Sequence, residues 1–366
     1  MRIKIWQGLI PFVCVMSIAS FSYAAKIQMA ILLDGSGSMQ GLIDQSKFQL
    51  SRIINELENA KKDGQTPTLE LALFEHGKGN LSADQGFLQK LSDLVTDIDI
   101  VNQKLFQIIA DGSEEYTGLA IVRAVNDLVW SDDPQDFKVI FIAGNEAMQQ
   151  GPVKYQDAIE LATSRGILVN TIYAGGADDF DSAEWKEAAR LSGGSFANID
   201  SSMTIERIPT VFDDAVLKLN EELNKTYIIY GDRGLEGFGR MLDIDGNMGE
   251  HLVERALTKA GHYYDSSDWD LVDAWEKKKV IIDNSFDRSF CIDEMKSMSV
   301  EEMIAFLQNK LEDRKLLQKG IQALSALRNE KITSILVRSN NSQLANVHKA
   351  IMQALTRQLE IRGFRL

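Results

Sequence analysis

Residues 34–40 place one carboxylate and two hydroxyls at every second position, directly after the apolar run Met29–Leu33. The segment reads D-G-S-G-S-M-Q, with Asp34, Ser36 and Ser38 as its oxygen-bearing side chains. Carboxylate and hydroxyl oxygens suit hard divalent cations such as Mg²⁺ or Ca²⁺. The intervening glycines let the backbone turn tightly enough to bring the two serines near one point. The spacing therefore predicts a cation site that needs an oxygen from outside the chain to complete its coordination.

Two further acidic stretches have the composition of calcium-binding loops. Residues 178–181 read D-D-F-D, and residues 243–247 read D-I-D-G-N with Glu254 at the twelfth position. The second stretch matches an EF-hand at its acidic positions, but Met248 stands where the turn requires glycine. A solvated loop or a helix cap is therefore the better interpretation of both stretches.

The histidines do not form a recognisable catalytic or zinc-binding pattern. His76, His251, His262 and His348 lack the spacing of zinc ligands, and the sequence has neither a G-x-S-x-G elbow nor a P-loop. His76 follows an apolar segment, and we predict that it lies at the surface, with a position near the rim of the sheet as the alternative. The chain is therefore predicted not to be an enzyme, with an unrecognised hydrolase as a minor alternative.

The segments that must position the acid and hydroxyls alternate between strand and helix patterns from Ala25 to about Asn224. The apolar runs typical of buried strands are Lys26–Leu33, Leu69–Phe74, Phe137–Ala143 and Ile167–Tyr173. Strands alternating with amphipathic helices predict an α/β fold, with a doubly wound, mostly parallel, Rossmann-like sheet and helices on both faces. Right-handed crossovers would bring the strand-end loops to one rim, where ligands bind.

Residues 225–366 have a different, mostly helical pattern. Ser299 and Glu302 form a capping box that opens a long helix to about Asn329, and a last helix is predicted from about residue 343 to 361. These helices are predicted to pack on each other or on the first domain. A coiled coil with a partner is the weaker alternative, because three unbroken heptads are lacking. The predicted domains are thus residues 25–224 and 225–366.

The first 24 residues have the pattern of a secretory signal peptide. Arg2 and Lys4 precede the apolar segment Gly8–Phe21, and small residues lead up to Ala24. An apolar segment of about 14 residues is short for a membrane span. We predict cleavage after Ala24 and a periplasmic or secreted protein without a transmembrane helix in its mature chain. An uncleaved membrane anchor is the alternative.

Charge and cysteine content restrict the partners of the mature chain. Residues 1–24 carry two basic and no acidic side chains, so their removal changes the net charge from −14 to −16. Such an acidic protein is a poor ligand for nucleic acid or an anionic membrane. Cys291 is then the one remaining cysteine, which excludes an intramolecular disulfide and predicts a buried apolar thiol.

The acid and hydroxyl segment, together with the strand–helix order, resembles the von Willebrand factor type A domain over about residues 25–224. Asp34, Ser36 and Ser38 match the first motif of the metal-ion-dependent adhesion site of that family. A later loop of the family supplies a threonine just before a glycine that opens a helix. Residues 111–118 read D-G-S-E-E-Y-T-G, so Thr117 is the corresponding residue.

Asn145 is a departure from the family pattern. It follows the strand Val139–Ala143, where the family usually has an aspartate. The resemblance implies that the hydroxyls coordinate the ion and that Asp34 supplies negative charge, whereas Asn145 supplies none. The ion would keep roughly one uncompensated positive charge, which would attract a partner's carboxylate. Glu146 would restore part of the charge if its side chain turned inward.

The resemblance implies an exported bacterial binding protein with a role in adhesion or other protein–protein interaction. One Mg²⁺ or Ca²⁺ ion, weakly bound in the absence of a ligand, would recognise an acidic side chain on a protein partner. The alternative is a metal-free type A scaffold whose helical C-terminal region mediates assembly of an envelope complex. Asn145 distinguishes the metal-dependent function from the metal-free one, because an added negative charge at this position would change binding only if a metal is present.

Overall fold

A computed structural model describes residues 24–112, 114–176, 178–199, 208–289, 291–339 and 342–366. Apart from Ala24, the predicted signal peptide lies outside these ranges. In chain order the strands are β1 (Lys26–Asp34), β2 (Lys61–Lys62), β3 (Thr68–His76), β4 (Gln89–Val95), β5 (Phe137–Gly144), β6 (Leu168–Tyr173), β7 (Phe196–Asn198) and β8 (Phe364–Arg365).

Helices connect and cover these strands, and they dominate the chain beyond β7. They are α1 (Gln40–Leu57), α2 (Ile98–Gln107), α3 (Thr117–Asp127), α4 (Tyr155–Ser164), α5 (Ser182–Ser192), α6 (Asp213–Asn224), α7 (Gly234–Asn247), α8 (Leu252–Ala260), α9 (Leu271–Glu276), α10 (Asp293–Lys296), α11 (Val300–Ser339) and α12 (Ser342–Ile361). Within the described ranges, none of these helices is long and apolar enough to cross a bilayer.

Six strands form one sheet in the order β4-β3-β1-β5-β6-β7, and every pairing except β3 with β4 is parallel. β1 lies inside the sheet between β3 and β5, which explains its near-continuous apolar sequence. The predicted α/β fold with a mostly parallel sheet is confirmed. The antiparallel strand β4 lies at one edge of the sheet.

The alternation of side chains along β1 divides the core into two layers. Ile27, Met29 and Leu33 belong to the layer that also contains residues of α1 and α2, whereas Ala30 and Leu32 belong to the layer beneath α3, α4 and α5. Successive side chains of a strand point to opposite faces, so a strand in the middle of a sheet must be apolar on both. Helices therefore cover both faces, as predicted.

The C-terminal region is mostly helical, and its last segment returns to the sheet. Met352, Leu355 and Leu359 of α12 pack in the same core layer as Ile27, and β8 pairs with β2. Cys291 is buried among apolar side chains of this region, as predicted. The division of the chain at residue 224 stays a prediction.

Several local predictions are corrected by the structure. The Ser299–Glu302 capping box is present, but its helix α11 continues to Ser339 instead of ending near residue 329. Asp181 precedes α5 without a side-chain capping bond among the described residues, because its backbone is already helical. Residues 243–247 form the last turns of α7, so they are neither a calcium loop nor a solvated loop.

A buried ion pair joins the C-terminal helices to α2. The guanidinium of Arg255, fully buried in α8, donates to both oxygens of Asp99 over 2.6 and 2.8 Å and to Asp245 over 3.1 Å. The hydroxyl of Tyr264 donates to Asp99 over 2.8 Å. A bidentate pair of this kind fixes the relative orientation of the two elements.

Removing one partner of this pair should destabilise the protein strongly. Asp99→Asn leaves the Arg255 guanidinium buried with less compensation, so we expect unfolding free energy to fall by about 3 kcal/mol. Replacing both residues, as Asp99→Leu with Arg255→Met, should recover most of that loss. Urea unfolding followed by circular dichroism measures both. Asp127→Asn, at the surface pair with Arg123, is the control and should change stability by about 0.5 kcal/mol or less.

Asp97 should give the folded protein an unusual dependence on pH. Burial, followed by the negative charge of Asp99, raises the pKa of Asp97 to about 6 from its ordinary value of 3.8, although Arg240 opposes this shift. The folded state therefore keeps a proton that the unfolded chain releases, and stability is lost as pH rises from about 4 to about 6. Asp97→Asn should remove a loss on the order of 2 kcal/mol. Parallel stability curves for the two proteins over this pH range would contradict the assignment.

Candidate metal centre

The carboxyl ends of three neighbouring strands meet at one rim of the sheet. β1 ends at Asp34, which lies opposite His76 at the end of β3, and Asn145 directly follows the last residue of β5. The loop after β1 is fixed to the loop before α3, because the amide of Gly37 donates to the carbonyl of Gly112 over 2.9 Å. The rim is therefore built from four segments that are distant in the sequence.

Four of the five residues predicted from the sequence lie in one hydrogen-bonded group. The Oγ atoms of Ser36 and Ser38 are 3.2 Å apart, and the side-chain amide of Asn145 donates to Ser38 over 2.9 Å. Asp34 accepts from the amide of Ser36 over 2.7 Å. Thr117 begins α3 and is fully buried, with no hydrogen-bond partner for its hydroxyl among the described residues. Ser38 is exposed and Asn145 is half-buried, so the group opens to solvent on one side.

Two residues that were not predicted to belong to the metal site lie beside Asp34. One ligand atom from each of Asp34, His76 and Glu115 falls within 4.8 Å of the others, and all three side chains are fully buried. The prediction of a surface position for His76 was wrong, because β3 extends far enough to pair this residue with Asp34 inside the sheet. Glu115 could have been found from its position two residues before Thr117 in the same loop.

The buried atoms of this cluster are not satisfied within the described part of the chain. Asp34 Oδ2, both ring nitrogens of His76, both carboxyl oxygens of Glu115 and the Thr117 hydroxyl lack a hydrogen bond of acceptable geometry. Unpaired polar groups in a dry interior are costly. A divalent cation would satisfy the carboxylate, imidazole and hydroxyl donors together, so the residues present fit such an ion.

Burial is the largest cause of the pKa shifts of the ionisable groups in this cluster. Burial raises the pKa of Glu115 well above its ordinary value, and the charge of Asp34 raises it further. Burial also lowers the pKa of His76, although Asp34 opposes that shift. Without a cation, the site therefore favours a neutral imidazole and a protonated glutamate.

Glu146 does not replace the charge that is missing at Asn145. Its carboxylate accepts a hydrogen bond from the side chain of Gln150, and its carbonyl accepts one from Trp185 over 2.8 Å. Its negative charge contributes to the raised pKa of Glu115. Among Asp34, His76 and Glu115, the second carboxylate is that of Glu115.

Two glycines allow the close packing around Asp34 and Glu115, because they have no Cβ atom. Gly77 has a φ of +72°, and a Cβ atom there would lie 2.7 Å from Asp34 Oδ1 and 3.3 Å from Glu115 Cγ. Gly144 is similarly restricted, because a Cβ atom would lie 3.2 Å from a carboxyl oxygen of Glu115. The side chains of the cluster thus leave no room for a methyl group.

Gly77→Ala should cost more stability than the same change at Gly166. Both glycines have a similar positive φ, but the nearest atom to a Cβ at Gly166 is 3.9 Å away, so that site is the control for backbone strain. We expect about 1 kcal/mol for the strain alone and about 1 to 2 kcal/mol more for displacing Asp34. Urea unfolding of both variants measures the difference, and equal losses would show that the cluster is not closely packed.

Comparison with known proteins identifies one matching domain family and several solved structures of low similarity. The sequence profile described as the von Willebrand factor type A domain matches residues 28–207. No curated protein matches the chain.

Three of these solved structures show how low the sequence identity and the structural similarity are. An aerotolerance-related membrane protein from Bacteroides fragilis is 17% identical, with 48% of this chain and 92% of that one covered and a TM-score of 0.33. The Rpn10 type A domain is 17% identical, with coverage of 49% and 91% and a TM-score of 0.35. The pilus adhesin SpaC from Lactobacillus rhamnosus GG is 12% identical, with coverage of 49% and 28% and a TM-score of 0.37. Residues 28–207 therefore contain a von Willebrand factor type A domain.

Proposed function

We propose that this protein binds a partner protein through one divalent cation held at the rim of the type A domain. Asp34, Ser36, Ser38, Thr117 and Asn145 are the proposed metal-site residues, and Mg²⁺ or Ca²⁺ is the ion that the sequence favours. A carboxylate from the partner would complete the coordination. Type A domains are in general interaction modules, which supports a binding role and not a catalytic one.

The observation that carries the proposal is the contrast between the two sides of the site. On the inner side, Asp34 is fully buried and one of its oxygens has no partner in the described part of the chain. On the outer side, Ser38 is exposed and joined to Asn145. An ion between these sides would have fixed oxygen ligands below and an open position above. An open position is what a ligand from another protein requires.

Export remains part of the proposal because the signal-peptide pattern of residues 1–24 supports it. We propose that the mature chain begins after Ala24 and acts in the periplasm or outside the cell. Its acidic charge supports protein partners over nucleic acid.

A second function is favoured by apolar side chains on the outer face of α11. Leu316 is 72% exposed and Leu327 is 46% exposed. They are eleven positions apart, which places them within about 20° of each other around the helix. This stripe supports the alternative that the type A domain is a metal-free scaffold and that the helical region mediates assembly with an envelope complex.

Metal binding should depend on Asp34. In calorimetric titrations of residues 25–366 with Mg²⁺ and with Ca²⁺, we expect Asp34→Ala to lower cation affinity about tenfold or more, since it removes a charged oxygen beneath the ion. Asp44→Ala, which removes an exposed acid of the following helix, is the matched control and should leave the affinity unchanged. Equal heats for the wild type and Asp34→Ala would contradict metal binding at this site.

Adding a charge at Asn145 separates the two functions. Asn145→Asp should raise cation affinity, because a second carboxylate at the rim increases the attraction for a divalent ion. Capture of partners from envelope fractions, with and without chelator, then shows whether partner binding requires the cation. Capture that ignores both the chelator and Asn145→Asp, but is lost in a Leu316→Lys and Leu327→Lys double variant, would favour the metal-free scaffold.

A further inference from the structure

His76 and Glu115 are the buried residues of the rim that neither the motif nor the proposed function uses. Both approach Asp34 from other segments, His76 from the end of β3 and Glu115 from the loop before α3. We infer that Asp34, His76 and Glu115 form the inner half of the metal site and make it selective for a divalent transition metal over Mg²⁺ and Ca²⁺. This inference rests on the proposed function and changes the preferred ion from Mg²⁺ or Ca²⁺ to a divalent transition metal.

The spacing of the three donors suits a single ion. Their ligand atoms lie within 4.8 Å of one another. Neighbouring ligands of a tetrahedral or octahedral ion, each about 2.1 Å from it, are about 3.0 to 3.4 Å apart. Each side chain therefore needs to move by up to about 1 Å to share one ion. The close packing around Gly77 and Gly144 holds the carboxylates at this distance.

The imidazole decides which metals the site prefers. Mg²⁺ and Ca²⁺ take oxygen ligands almost exclusively, whereas Mn²⁺, Co²⁺ and Zn²⁺ accept imidazole nitrogen. Within the described residues, neither ring nitrogen of His76 makes a hydrogen bond of acceptable geometry. A histidine ligand usually binds the metal through one ring nitrogen and donates from the other to an oxygen acceptor, a role open to the backbone carbonyl of Ala143.

Glu115 changes the charge balance that the motif alone implies. Asn145 contributes no charge, so Asp34 would leave a divalent ion with one positive charge uncompensated. With Glu115 as a second carboxylate ligand, the charges of ion and protein balance. The site would then hold its ion in the absence of a partner. The partner's carboxylate would bind the ion at the open position beside Ser38, but it would not be needed to keep the ion in the site.

The experiment compares metals and variants on the same chain. Residues 25–366 are stripped with chelator and titrated calorimetrically with Mn²⁺, Co²⁺, Zn²⁺, Mg²⁺ and Ca²⁺. We expect the wild type to bind Mn²⁺ at least about tenfold more tightly than Mg²⁺. His76→Leu should lower affinity for the transition metals by about 10- to 100-fold and leave Mg²⁺ affinity little changed. Glu115→Gln should weaken binding of every divalent ion.

A surface histidine provides the control for adventitious binding. His262 is partly exposed and paired with Glu58, away from the cluster, and His262→Ala should leave all affinities unchanged. If His76→Leu has no more effect than His262→Ala, the inference is overturned. Continued dependence on Asp34 in that case would leave the proposed function standing. If no cation binds the wild type, both fall.

A measurement on the wild type keeps the inference testable if His76→Leu does not fold. Pulsed electron paramagnetic resonance of the Mn²⁺-loaded protein detects a directly coordinated imidazole nitrogen through its hyperfine coupling. We expect that coupling, and its disappearance on addition of excess Zn²⁺. A spectrum of Mn²⁺ with oxygen ligands alone would overturn the role of His76.

Discussion

The parallel pairing of β1 with β3 and β5 is the constraint on which the rest of the structure depends. Its register sets Asp34 opposite His76 and brings the end of β5 beside the loop that follows β1. Parallel strands end on the same side, so polar residues placed just after each apolar run converge without any contact between them in the sequence. Burial of the strands on both faces fixes that register, because a shift by one residue would exchange the two core layers.

The helices beyond the type A domain are attached to this framework by charged as well as apolar contacts. Arg255 reaches Asp99 of α2, whereas Arg314 of α11 donates to Asp270 and to the carbonyl of Thr226 within the helical region itself. Such buried pairs add directional contacts that an apolar interface lacks. The Arg255–Asp99 pair couples the helical region to the side of the sheet that α2 covers, while the rim with the candidate metal centre remains open.

The sequence predicts the fold and one side of the site, and the reasons for its failures are physical. Ser36 and Ser38 were proposed because a tight glycine turn is a local feature, and Asn145 was proposed from the resemblance to the type A family. His76 was misplaced because the pattern of β3 does not reveal whether its last residue lies inside the sheet or beyond it. Glu115 was missed because its burial depends on contacts with distant segments. The length of α11 was underestimated because no glycine or proline near residue 329 decides where it ends.

We propose that a divalent ion binds where the ends of β1, β3 and β5 meet. Anomalous diffraction from crystals of residues 25–366 prepared with Mn²⁺ tests this site. We expect one strong anomalous peak within coordination distance of Asp34, His76 and Glu115, on the side facing Ser36 and Thr117. The absence of a peak there, or the same peak in crystals of Asp34→Ala, would contradict it.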